Sequence, residues 1–192
     1  MIGGKHVLTA GHCVFSHLWG GWATSIMAIP GWDGEFFPPF GAASMADRRA
    51  SFGWTEDGDT PDYDYALITL DRSFSVGSFG LLHLSDDDLY DKRVCLIGYP
   101  GELGNPAGLQ QFFIPGCDFL TAHSSSHVEH KMDTTKGNSG SPIYRFWEGK
   151  WAVLALHSTS VSPFVGSDYN AGPRITTHRH NMIRGDGTQS AC

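Results

Sequence analysis

The stretch "MDTTKGNSGSPIY", Met132–Tyr144, decides how the chain is read. Six consecutive positions, Gly137-Asn138-Ser139-Gly140-Ser141-Pro142, are small or turn-forming, and an apolar strand-like run follows them. Glycine tolerates the positive φ that turns successive backbone N–H groups toward one point, and it lets another chain approach closely. A serine in such a turn is placed to attack a carbonyl, provided a base takes its proton and a third group orients the base. An acid, Asp133, stands six residues before that serine.

Working outward, the two missing groups are found upstream. His12 lies in "LTAGHC" and Asp64 in "DYDYALITL", and the order His12, Asp64, Ser139 has separations of 52 and 75 residues. The N–H groups of Gly137 and Ser139 would face the developing oxyanion. Each motif alone reads as something plainer: a loop, a packed histidine, or a turn acid before a strand. The three in order outweigh those readings.

The rest of the chain suits an all-β protein. It has 192 residues, 24 Gly and 10 Pro, and 41% hydrophobic residues, with little helical periodicity. No apolar run approaches the roughly 18 residues of a membrane span. A net charge of −7 argues against nucleic acid as the partner. Strands are expected at Lys5–Ala10, Tyr65–Leu70, Arg93–Gly101 and Leu109–Gly116. A hairpin is expected around Glu148-Gly149-Lys150, and a short closing helix over Thr176–Arg184 with a threonine cap. Residues 15–62, rich in Trp, Phe, Gly and Pro, are expected to form loops and short strands whose aromatics need burial. No signal peptide is visible. The four cysteines, Cys13, Cys95, Cys117 and Cys192, have no C-x-x-C spacing, so zinc is not expected. One or two disulfides are expected, and four cysteines leave three full pairings open.

"VLTAGHC", "DYDYALITL" and "TTKGNSGSP" together resemble the His, Asp and Ser motifs of the trypsin/chymotrypsin-like serine proteases. Asn138 before the serine, "GSP" after it, "GYPG" and "ALHS" are most similar to the glutamyl endopeptidase branch. The resemblance covers nearly the whole chain, and it implies Asp64 rather than Asp62 as the triad acid, the one directly preceding Tyr-Ala-Leu-Ile. It implies two antiparallel six-stranded-type barrels with a short C-terminal helix. One barrel would span 1–80 and carry His12 and Asp64; the other would span 90–192 and carry Ser139 and the substrate pocket, with the boundary near 78–92. Only eleven residues precede His12, so the first barrel is expected to be incomplete and the chain to be a fragment or to start late. The resemblance also implies an upstream cysteine as the partner of Cys13. Asn138 stands where trypsin has an acid, so trypsin's activation by a freed N-terminal amine would have no partner here.

The implied activity is that of a secreted, monomeric endopeptidase acting on polypeptides through an acyl-enzyme, with no cofactor and no metal. Its pocket would be formed by Asp133, Thr134, His157 and Ser160. Asp133 occupies the place of the acid that attracts Arg and Lys in trypsin. His157 matches the pocket histidine of glutamyl endopeptidases, and with two hydroxyls it makes a donor-rich pocket for a carboxylate. Cleavage after Glu or Asp is therefore expected over cleavage after Arg or Lys. The competing reading from another class is an inactive protease-like domain that only binds polypeptide. Three further clusters are read plainly. His123, His127, Glu129 and His130 are expected to be a solvated strand or loop rather than a zinc site, since His127 and His130 point to opposite faces of an extended chain. "SDDDLYD", Ser85–Asp91, is expected to be a solvated acidic turn rather than a calcium loop. The aromatics of residues 19–54 are expected to pack in the core and loops.

Overall fold

A computed structural model describes residues 1–32, 37–57, 60–89, 92–101, 112–113, 117–159 and 169–184. In chain order the first sheet and its surroundings comprise β1 (His6–Thr9), β2 (Phe15–Ser16), β3 (Gly21–Trp22), β4 (Met27–Ala28), β5 (Ala43–Ala50) and β6 (Ala66–Leu70). The second group comprises β7 (Gly80–Leu81), β8 (Arg93–Gly98), β9 (Phe112–Phe113), β10 (Asp118–His123), β11 (His127–His130), β12 (Pro142–Trp147), β13 (Lys150–Leu156) and β14 (Asn170–Pro173). The α-helices are α1 (Phe52–Asp57), α2 (Asp86–Leu89) and α3 (Thr177–Arg184).

The first sheet has the order β1-β6-β5-β4, with antiparallel neighbours. Strand β6 is central and buried on both faces, which is why "ALITL" reads as an unbroken apolar run. Ala66, Ile68 and Leu70 point into a core with Val14, Ala43 and Phe74. On the alternate face, Leu67 and the preceding Tyr65 enter a second cluster with Leu8, Cys95, Tyr144, Val153, Leu156, Ile175 and Ile183. That cluster draws residues from both sheets and from α3, so it is the seam between the two halves.

The second sheet runs β14-β11-β10-β8-β12-β13-β7, with β9 beside β8. Bridges from Ala155 to Arg174 and from Thr159 to Ala171 join the β13 end to the β14 segment, so the sheet curls back on itself. Its interior is Leu82, Leu84, Val94, Leu96, Val128, Ile143 and Leu154 with their neighbours. The β12–β13 hairpin forms as expected: Trp147 pairs with Lys150 around Glu148 (φ 46°) and Gly149 (φ 82°). Two consecutive positive φ values are what a type I′ turn requires. Helix α3 starts at Thr176, whose Oγ1 accepts the Arg179 N–H at 3.2 Å, as a cap should. Of the expected strand Leu109–Gly116, only Phe112 and Phe113 fall among the described residues, as β9.

Several expectations are corrected. The aromatics of residues 19–54 do not all pack inward: Trp19 is 89% exposed, Phe37 86% and Phe52 70%. Trp54 does pack inward, with its ring against Gly11. The acidic run is not a simple turn. Residues Asp86–Leu89 form a helical turn whose Ser85 hydroxyl accepts the Asp88 N–H, and Asp86 pairs with the buried Arg174 at 2.6 Å. His127, Glu129 and His130 are buried rather than solvated: β11 is an interior strand between β10 and β14, and groups from elsewhere cover it, Asp62 against His127 and His157 against His130.

Candidate active site

Antiparallel pairing of β1 with β6 creates the first half of the site. Thr9 lies opposite Ala66. The chain leaving β1 therefore passes the chain entering β6, and His12 meets Asp64 there. Asp64 Oδ1 accepts the backbone N–H of His12 at 2.7 Å, and Oδ2 lies 2.6 Å from His12 Nδ1. The Ser158 hydroxyl also donates to Oδ2. Gly11 is needed at this crossing, because a Cβ there would lie 2.9 Å from the Trp54 ring and 3.0 Å from Asp64 Oδ1. The carboxylate of Asp64 is buried, with its side chain 3% exposed against 33% for His12. Burial disfavours the imidazolium, but the hydrogen bonds and charges of Asp64, joined by Cys13, outweigh it. They hold His12 above the ordinary imidazole pKa. With Nδ1 on Asp64, Nε2 is the nitrogen left to handle a proton.

The second half is the 137–141 turn between β11 and β12. Gly140 N donates to His157 O at 2.8 Å and His157 N donates to Ser141 O at 2.8 Å, tying the turn to the end of β13. Asn138 N donates to Thr135 O and Ser141 N to Asn138 O. Among the described residues this leaves the N–H groups of Gly137 and Ser139 without a partner, two donors flanking one residue. Gly137 has φ +98°, and a Cβ on it would come within 2.7 Å of Tyr99 O. Gly140 has φ +79°, and its Cβ would come within 2.9 Å of Ala10 N and against Thr9 Oγ1. The serine turn therefore presses directly on the end of β1. The Ser139 carbonyl is also 3.9 Å from Cys13 Sγ, next to His12. No hydrogen bond joins the Ser139 hydroxyl to His12 among the described residues, a looseness common in unliganded sites.

The expected pocket residues are distributed unevenly. His157, the residue after β13, is buried, and its Nδ1 lies 3.3 Å from His130 Nε2. Burial pushes His157 down to about 4, His12 adding to the fall and Asp64 opposing it. Burial and the His157 charge push His130 down to about 3. Both rings are therefore neutral near pH 7, and one must donate to the other. The Thr134 hydroxyl is buried and has no partner. Asp133 is exposed. Ser160 lies outside the described residues. His130 was missed as a site residue from the sequence, where the polar run around it gives no sign of burial. Among the described residues, no group of three or more His, Cys, Asp and Glu side chains is arranged to hold a metal ion. Cys95 and Cys117 form a disulfide, while Cys13 is a free, exposed thiol and Cys192 lies outside the described residues.

The chain is similar to known proteins. Residues 1–156 match the trypsin-like peptidase domain. The chain is 33% identical over 184 residues to the glutamyl endopeptidase of Bacillus licheniformis, covering 92% of this chain and 54% of that protein. It is 32% identical over 189 residues to a Bacillus subtilis protein named extracellular metalloprotease, covering 96% of this chain and 56% of that one. The chain thus spans about half the length of these curated relatives. A solved structure of a Glu endopeptidase in complex with MPD matches with a TM-score of 0.82 at 24% identity, over 97% of this chain and 82% of that one. The mostly antiparallel sheets, the short C-terminal helix and the match over residues 1–156 lead to one assignment: the chain belongs to the trypsin-like peptidase family.

Proposed function

We propose that the chain carries the catalytic apparatus of a serine endopeptidase that cleaves after Glu, with His12, Asp64 and Ser139 as its triad. The observation that carries this reading is the two-point grip of Asp64 on His12, one oxygen on the backbone N–H and the other on Nδ1. That grip fixes the ring and leaves Nε2 to take the Ser139 proton as Oγ attacks the scissile carbonyl. The oxyanion forms against the N–H groups of Gly137 and Ser139. His12 then passes the proton to the leaving amine, and a water deprotonated by His12 releases the acyl group and restores Ser139. No step needs a cofactor.

The pocket chemistry supports an acidic substrate side chain. If His130 Nε2–H donates to His157 Nδ1, His157 keeps its Nε2–H for a ligand. His130 Nδ1, buried without a partner, is then an unpaired acceptor rather than an unpaired donor, the less costly of the two. The buried Thr134 hydroxyl would add a second donor, and Ser160 a third. The exposed position of Asp133 supports a carboxylate standing away from the pocket. The relatives' names and the Cys95–Cys117 disulfide support action outside the cell. Polypeptides are the proposed partners, the working form is a monomer, and the units are 1–80 and 90–192.

The test is labelling by a fluorophosphonate, with Ser139→Ala as control, followed by cleavage of a peptide library varied at the residue before the cut. The expected result is Ser139-dependent labelling and cleavage after Glu, lost in His157→Ala. Absence of labelling supports a domain that only binds polypeptide and overturns the proposal. Cleavage after Arg or Lys, or an indifferent His157→Ala variant, overturns the specificity.

A further inference from the structure

Asp62 is the acid just ahead of Asp64 that the proposed chemistry does not use. It sits in the one-turn 3-10 segment Pro61–Tyr63, which closes as Asp64 N donates to Pro61 O at 3.2 Å. Its partners come from the other sheet and from α3. The carboxylate accepts Ser126 Oγ at 2.5 Å and lies 3.1 Å from His127 Nδ1. The Asp62 carbonyl accepts Arg179 Nη2, while Arg179 Nη1 donates to the carbonyls of Ser126 and Arg174. The guanidinium also stands 5.1 Å from the Tyr65 ring centre. His127 is held in turn by Ser124 Oγ at 2.7 Å and has Glu129 3.9 Å from its Nε2. His127 and Arg179 are both buried.

We infer that Asp62, through Ser126, His127 and Arg179, is a positioning residue that lets the second sheet and α3 set where Asp64 stands. The inference rests on the triad reading above. The Asp64 side chain is gripped by His12 and Ser158, but its backbone position depends on a turn of only three residues. Such a turn has little rigidity of its own. The bridge ties it to β11 and α3 with bonds that are mostly charge-assisted, the stronger class. Displacement of a reacting group by about 1 Å can cost on the order of 10²-fold in rate. A bridge that holds the acid's turn therefore acts on turnover rather than on substrate affinity.

The experiment compares Asp62→Asn, Ser126→Ala and Ser126→Thr in protein with Ser139 intact. It records kcat, KM, the pH profile of kcat/KM and thermal unfolding. Asp62→Asn is expected to lose about ten- to a hundred-fold in kcat, with KM within about twofold. Its acid limb should move to lower pH. The groups facing His12 are Asp64 and Cys13, with His157 acting at longer range, and only Asp64 is loosened. Ser126→Ala should show the same effect more weakly, and Ser126→Thr should restore it. A merely structural bridge would shift the melting temperature and leave kcat and the pH profile of the folded fraction unchanged; that result overturns the inference. Amide exchange over residues 61–65, in Ser139→Ala and Asp62→Asn/Ser139→Ala proteins, reads the bridge without activity. Faster exchange in the double variant supports it and equal exchange overturns it, even if the parent protein fails to label and the triad reading falls.

Discussion

The buried histidine pair makes the protein's stability depend on acid in a calculable way. The unfolded chain protonates His130 and His157 near the ordinary pKa of about 6.5, whereas the folded values are about 3 and about 4. Below pH 6.5 the unfolded state therefore binds more protons, and stability falls as the pH drops toward the folded values. From about pH 6.5, where the unfolded ring is half protonated, to about pH 4.5, each histidine contributes roughly 2 kcal/mol of loss, the slope rising toward about 1.4 kcal/mol per unit. The pair together should therefore lose about 3–5 kcal/mol. That is a large part of the 5–15 kcal/mol typical of a whole domain, by order of magnitude. The assay is urea unfolding followed by tryptophan fluorescence at both pH values, in a Ser139→Ala background, which under the proposed function excludes self-digestion. The comparison is His130→Gln/His157→Gln in the same background. Carboxylates and other histidines contribute equally to both proteins, so the difference between the two pH-dependent losses isolates the pair. The double variant should lose about 3 kcal/mol less than the parent on acidification. Equal losses would refute the claim that the pair is buried and neutral.

Two further outcomes follow from the geometry. Gly140→Ala puts a side chain at φ +79° and within 2.9 Å of Ala10 N, where backbone must yield. It should destabilise by about 2–4 kcal/mol and lower kcat by roughly 10²-fold through displacement of Ser139; melting curves and turnover check it, and a neutral variant contradicts the packing of the serine turn on β1. Reducing the Cys95–Cys117 bridge, which spans 22 residues, should lower stability by about 3 kcal/mol. Urea midpoints of the Ser139→Ala protein with and without reductant measure this, and unchanged midpoints contradict it.

What the sequence determined by itself was local or compositional. Apolar runs marked β1, β6, β8 and the β12–β13 hairpin, because burial on one or both faces writes itself into residue order. The chain order His12, Asp64, Ser139 and the small-residue turn named the candidate triad, of which His12 and Asp64 are hydrogen-bonded. Other features were decided only in three dimensions. The residues name Asp64, but its two-oxygen contact with His12 arises from the β1–β6 register, which puts Thr9 opposite Ala66. The exposure of Trp19, Phe37 and Phe52 contradicts their composition, because burial depends on which face a loop presents and not on hydrophobicity alone. His127, Glu129 and His130 read as solvated, since a polar run carries no sign of the groups that will cover it. Their cover comes from residues distant in the chain, Asp62 against His127 and His157 against His130 across 27 residues. Periodicity reports the faces of one strand; contacts between strands remote in sequence leave no periodic trace, so only the tertiary structure decided them.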